Sequence, residues 1–104
     1  MIWHDVCARR DIPPERGWPV SVDGQPVAVF CVGATLHALS NVCLHVGSPI
    51  DDGFVAHGCV TCPWHGWRYE LVSGHLLTTF GHRPGLRTYP VREVDGRVLI
   101  GTDD

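Results

Sequence analysis

Four side chains able to bind a soft or borderline metal fall in two short loops, Cys43-Leu44-His45 and Cys62-Pro63-Trp64-His65. The first reads C-x-H and the second C-x-x-H, and sixteen residues separate His45 from Cys62. Thiolate and imidazole are ligands of zinc and of iron–sulfur centres, and two of them within two or three residues can converge on one centre. Together the loops complete a four-ligand site, which can be filled in two ways. All four groups can close a tetrahedron around one structural Zn²⁺. Alternatively, because each loop supplies one cysteine and one histidine, a binuclear cluster between them can take both thiolates on one iron and both imidazoles on the other. Ligand type alone does not choose between these. A third pairing, Cys59 with Cys62 as C-x-x-C, would make a redox dithiol or half a zinc ribbon. It leaves His45 and His65 idle, and no βαβ pattern accompanies it.

The context of the ligands discriminates where their types do not. The run C-L-H-(16)-C-P-W-H-G-W resembles the cluster-binding pattern of Rieske ferredoxins and Rieske domains. Gly47, Pro49 and Ile50 after the first loop, and Gly66, Trp67, Leu71, Ser73 and Gly74 after the second, extend the resemblance. So do the closing Tyr89-Pro90-Val91 and Asp95-Gly96-Arg97-Val98, so that it spans essentially the whole chain. It implies a Rieske-type [2Fe–2S] cluster ligated by Cys43, His45, Cys62 and His65, with the cysteines buried and the histidines near the surface.

The same resemblance implies a Rieske-type antiparallel β-sandwich with an inserted cluster-binding subdomain at about residues 41–67, the chain being one domain over 1–104. Where Rieske proteins of respiratory complexes carry a disulfide between the loops, Ser48 and Trp64 stand here. That departure places the chain with the soluble, oxygenase-associated type, toward the low end of Rieske potentials, because fewer donors to sulfur lower the potential. Backbone N–H groups of Val46, Gly47, Gly66 and Trp67 are the expected donors, and Pro84 the expected cover over one side of the cluster. Trp64 and Trp67 are either walls around the cluster or core aromatics. A ligated imidazole keeps one N–H proton. The potential should therefore fall at alkaline pH as His45 and His65 lose it, and a potential independent of pH in voltammetry would contradict this.

The function implied is electron transfer: a soluble ferredoxin carrying single electrons from a flavin-dependent reductase to the terminal oxygenase of a ring-hydroxylating dioxygenase system. Catalysis is not expected, since Rieske oxygenases place substrate chemistry on a separate mononuclear iron and 104 residues leave no room for that domain. Two alternatives remain: a Rieske-like small subunit of a nitrite reductase-type complex, and a structural zinc module.

The elements that must position the loops read as strands throughout. Ile2 to Val6 is a short strand, and Asp11 to Gly17 allows one helical turn at most. Trp18 to Val22 and Val27 to Val32 flank Asp23-Gly24 as a hairpin, Thr35 to Leu39 follows, and Phe54 to Ala56 and Cys59 to Thr61 flank His57-Gly58 as a second. Strands over Trp67 to Leu71, Leu76 to Phe80, Thr88 to Val94 and Arg97 to Ile100 complete an all-β domain, with no sustained 3.6-residue periodicity.

Hydrophobic content of 44% and charged content of 18% describe a globular chain. No run of eighteen apolar residues and no export signal are apparent, so a cytoplasmic location is expected. Cys7, Cys31 and Cys59 are an odd remainder that fits a reducing compartment better than a disulfide framework. A net charge of −3 with no lysine excludes a nucleic-acid footprint. His4, His37, His57, His75 and His82 have no ligand-like spacing, and Arg68 and Arg83 read as solvated charges.

Overall fold

The computed structural model describes residues 1–44, 47–64, 66–78 and 85–103. Among them are ten strands and no α-helix. The strands are β1 (Ile2–Ala8), β2 (Gly17–Val22), β3 (Gln25–Val32), β4 (Thr35–Ser40), β5 (Phe54–Ala56), β6 (Cys59–Thr61), β7 (Arg68–Glu70), β8 (Thr88–Tyr89), β9 (Val91–Val94) and β10 (Arg97–Thr102). All pair antiparallel, in three sheets of order β1-β10-β9, β2-β3-β4-β8 and β5-β6-β7.

The Val27–Val32 run has no polar face because β3 is buried on both sides. Val27 and Val29 pack with Cys7, Val22, Ala38, Val98 and Ile100 in a core between the first two sheets. Ala28 and Phe30 point the other way, into a second core with Leu39, Ile50, Val60, Tyr69 and Leu71. Alternation along one strand thus supplies both interfaces of a three-layer stack, with the β2-β3-β4-β8 sheet in the middle. The expected sandwich with an added cluster sheet is what forms.

Three of the tight turns have a common cause. Asp23-Gly24, His57-Gly58 and Asp95-Gly96 each hold two successive positive φ angles, 50 and 78°, 54 and 76°, 51 and 79°. That conformation matches the twist of a two-residue hairpin, and X-Gly with a short polar X is the sequence that adopts it at least cost.

Some elements differ from expectation. The helical turn is a 3-10 turn over Arg9–Asp11, with the Asp11 carboxylate accepting the Ala8 N–H at 3.2 Å, so Asp11 closes the turn from within instead of capping its start. The expected strand from Thr88 to Val94 is cut at Pro90. Proline cannot extend the ladder with an N–H, and here the chain leaves the middle sheet at β8 and enters the outer one at β9. The strand from Trp67 shortens to Arg68–Glu70 because the Trp67 carbonyl is committed to the second ligand loop. Leu76 makes a single bridge to Tyr69, and Thr79, Phe80 and Pro84 lie outside the described residues.

Candidate metal centre

The two ligand loops are closed by the same bonds. Cys43 N–H donates to the Ser48 carbonyl at 2.7 Å, and Cys62 N–H to the Trp67 carbonyl at 2.7 Å. Gly47 N–H donates to the Cys43 carbonyl at 2.7 Å, and Gly66 N–H to the Cys62 carbonyl at 3.1 Å. Each loop therefore runs from a cysteine through a glycine four positions on, with φ of 73° at Gly47 and 72° at Gly66. A side chain at either glycine would be strained by that angle, so conformation, not crowding by neighbouring protein atoms, fixes the residue. The Gly47 and Gly66 N–H groups, expected as donors to sulfur, are each directed to the carbonyl of their own cysteine. Val46 lies outside the described residues, as do His45 and His65, the two imidazole ligands expected from the sequence.

At one end each loop is buried and at the other it is exposed. Cys43 and Cys62 are almost fully inaccessible and belong to the same apolar core as Phe30, Ile50 and Tyr69. Leu44, Pro63, Trp64 and Gly66 are exposed. Trp64, at 68% accessible, is not a core aromatic, whereas half-buried Trp67 packs against the core. Two thiols carried to one core by duplicate loops are the donor set that a thiolate-bound iron needs, and burial shields such an iron from water.

The remaining cysteines stand apart. Cys7 is in the other core, where burial first and Asp11 second push its thiol above the ordinary range, so it stays protonated. Cys31 sits half-buried on β3, and Cys59 begins β6 with its thiol 3.7 Å from the His57 carbonyl. Of the histidines without ligand-like spacing, His4 bonds Thr102 Oγ1 at 2.8 Å, and His82 lies outside the described residues with Arg83.

Two residues of the site went unnoticed in the sequence. The Tyr69 hydroxyl, fully buried, accepts the Leu44 N–H at 3.0 Å and lies 3.4 Å from Cys43 Sγ. Either atom can donate while Cys43 is a thiol, but toward a thiolate sulfur only the Tyr69 hydroxyl has a proton to give. Burial foremost, then the Cys43 hydrogen bond, push the phenol well above its ordinary value, so it remains a donor. The signal available in the sequence was a tyrosine on the apolar side of the alternating run Trp67-Arg68-Tyr69-Glu70-Leu71, since a buried tyrosine hydroxyl needs a partner. Asn41 is the other: its Oδ1 accepts the N–H groups of Ile50 at 2.7 Å and Asp51 at 3.0 Å, and its Nδ2 donates to Asp51 Oδ1 at 2.8 Å. It ties the entry of the first loop to its exit.

Residues 2–90 match the family described as the Rieske [2Fe-2S] domain. The chain belongs to that family. Its cofactor is accordingly a Rieske-type [2Fe–2S] cluster, and the buried cysteine pair fits it. The ferredoxin component of naphthalene 1,2-dioxygenase/salicylate 5-hydroxylase systems from Ralstonia sp. is 31% identical over 94% of this chain and 93% of its own length. Among solved structures, a Mycobacterium tuberculosis protein described as the small subunit of an NADH-dependent nitrite reductase superposes with a TM-score of 0.88, 27% identity and coverage of 99% and 96%. A chain from the complex of reduced oxygenase and oxidized ferredoxin in carbazole 1,9a-dioxygenase superposes at 0.83, with 27% identity and coverage of 95% and 92%.

Within the Rieske family, a sulfur ligand that accepts a hydrogen bond has its negative charge stabilised, most in the reduced state. Tyr69→Phe should therefore lower the reduction potential. A difference of about 1 kcal/mol between oxidation states corresponds to roughly 40 mV for one electron. Voltammetry on the cluster-loaded variant reads this directly. An unchanged potential would show that the hydroxyl does not bond the ligated sulfur.

Proposed function

We propose that this chain is a Rieske ferredoxin that carries single electrons from a flavin-dependent reductase to the terminal oxygenase of a ring-hydroxylating system. Cys43 and Cys62 would hold one iron and His45 and His65 the other. The observation that carries the reading is the pair of matching loops, each buried at its cysteine and exposed a few residues on. When bound, the cluster accepts and releases one electron at a time. The chain's own part is to exclude water on the cysteine side, donate to Cys43 from Tyr69 and hold both loops rigid through Asn41 and the glycine bends, so that little rearranges as the charge changes.

The full-length likeness to a dioxygenase ferredoxin component supports a separate carrier with no substrate-converting site of its own. No helix among the described residues is long and apolar enough to cross a membrane. In this reading the carrier is cytoplasmic and acts as one domain over 1–104. A second reading, a fixed small subunit of a nitrite reductase-type complex, is favoured by the 0.88 superposition. Gel filtration from the native source together with re-oxidation kinetics separates the two. A carrier elutes as a small protein, and its dithionite-reduced form is re-oxidised by a ring-hydroxylating terminal oxygenase. Stable co-elution with a large reductase subunit and no transfer to the oxygenase would overturn the carrier reading.

A further inference from the structure

We propose that the open edge of the β5-β6-β7 sheet takes an extended segment of the electron-transfer partner, added as a strand beside β5. This rests on the carrier reading and names how the partner is held. The two-residue turn at His57-Gly58 makes Ala56 and Cys59 a hydrogen-bonded pair, and likewise Phe54 and Thr61. Val55, opposite Val60, is then the non-hydrogen-bonded position, and its N–H and C=O point away from β6. The far side of the hairpin shows the same alternation, with Leu71 N–H bonded to the Gly58 carbonyl at 2.9 Å.

The two edges of this sheet are treated differently. Along β7, Leu77 N–H donates to the Arg68 carbonyl at 2.8 Å, and Arg68 N–H donates to Thr78 Oγ1 at 3.0 Å, so the edge is covered. Along β5 nothing among the described residues bonds the outward N–H or C=O of Val55. Exposed edges are commonly blunted by shortness, charge, proline or a covering segment. At three residues β5 is short, and the Val55 side chain is buried, but its Phe-Val-Ala carries neither charge nor proline, and Phe54 is 70% exposed.

What faces this edge is space. Two adjoining cavities, of about 500 and 310 Å³, share Pro14 and Glu15 as one wall. One reaches Phe54, Cys62 and Pro63, and the other reaches Val55 and Gly58. Together they form a trough along β5 that ends at the second cysteine loop. Its chemistry specifies the occupant. A donor and an acceptor on one residue call for an extended backbone with a non-proline residue opposite Val55. Phe54 and Pro63 favour an apolar side chain. Glu15 has no cation within ion-pair distance among the described residues, whereas Arg16 is held by Asp52 at 3.2 Å, so a basic side chain completes the fit. A segment so bound fixes its protein against the loop that carries Trp64.

The test uses the cluster-loaded chain, a capped hexapeptide of alternating valine and lysine, and the same peptide N-methylated on its valines. Amide resonances of Val55 and His57 should shift and gain protection from exchange with the first peptide. The N-methylated peptide should bind at least about fivefold more weakly, as loss of one hydrogen bond implies. Val55→Pro, which removes the outward N–H together with a side chain of the second core, should do the same provided its visible spectrum is retained. If that variant does not load its cluster, Glu15→Lys serves in its place. Glu15→Lys should also slow re-oxidation by a terminal oxygenase that accepts electrons from the unaltered chain. The proposal is overturned by unmoved Val55 and His57 amides at millimolar peptide, by equal binding of the N-methylated peptide, or by unchanged transfer from Glu15→Lys. Concentration-dependent shifts of these amides without peptide would give the edge to a second copy of this chain and overturn the partner assignment. Failure of the unaltered chain to transfer electrons to any terminal oxygenase sinks the carrier reading instead, whatever the peptide does.

Discussion

Gly74→Ala should lower the thermal midpoint by roughly 10–40 °C and release the cluster in the same transition. A Cβ at Gly74 would fall well inside contact distance of the Leu86 carbonyl oxygen, a backbone atom that no rotamer change can move. The residue also has φ of 76°, which costs an L side chain about 1–2 kcal/mol. Adding the 1–3 kcal/mol typical of overpacking gives about 2–5 kcal/mol, and a domain of this size loses about 4–8 °C per kcal/mol. The crossing matters to the site because Leu86 N–H donates to the Gly74 carbonyl at 2.8 Å, and Gly74 N–H donates to the Glu70 carbonyl at 2.7 Å. Together these fix the end of β7, and with it Tyr69, against the segment leading to β8. Circular dichroism and visible absorption followed in one melt check this. A midpoint within a few degrees of the unaltered protein would show that the crossing can relax.

Asn41→Ala should cost about 2–4 kcal/mol and lower the midpoint by about 10–20 °C, with iron lost more readily than from the unaltered chain. The side chain is 6% accessible and makes three hydrogen bonds across the ends of the first loop. Removing it strands the Ile50 N–H, and Ile50 is fully buried, so water cannot replace the lost acceptor. Asp51, released from Asn41, also bonds Gly17 N–H through its carbonyl at 2.9 Å, which couples the loop to β2. Iron release to a chelator, timed against the unaltered protein, reports the loosening. Equal release rates would mean that Asn41 stabilises the fold without rigidifying the loop.

What could be read from the sequence was local. Each X-Gly turn specifies its own backbone angles, so the hairpins at Asp23-Gly24, His57-Gly58 and Asp95-Gly96 were legible without tertiary context. The ligand loops were legible because a cysteine and a histidine stand two or three residues apart in each. Pro90 was visible but its consequence was not, because whether a proline ends a strand or marks a passage between sheets depends on partners far away in sequence. The layering about β3 was hidden for the same reason: a run of Val, Ala and Phe reads as buried, and only the second core shows that both faces are covered. Tyr69 and Asn41 act across 26 and 9 or 10 residues, and no spacing rule announces a hydroxyl or an amide as a partner at such separations.

Unlike ligation of two irons by the loops at Cys43 and Cys62 is what makes the chain an electron carrier. Electron paramagnetic resonance of the dithionite-reduced protein tests this most directly, measured beside iron and labile sulfide content. Two irons, two sulfides and an average g-value below that of four-cysteine clusters are the expected result, with His45→Ala and His65→Ala each losing the signal. A colourless protein holding one zinc, or a cluster whose spectrum and iron content survive both histidine replacements, would contradict it.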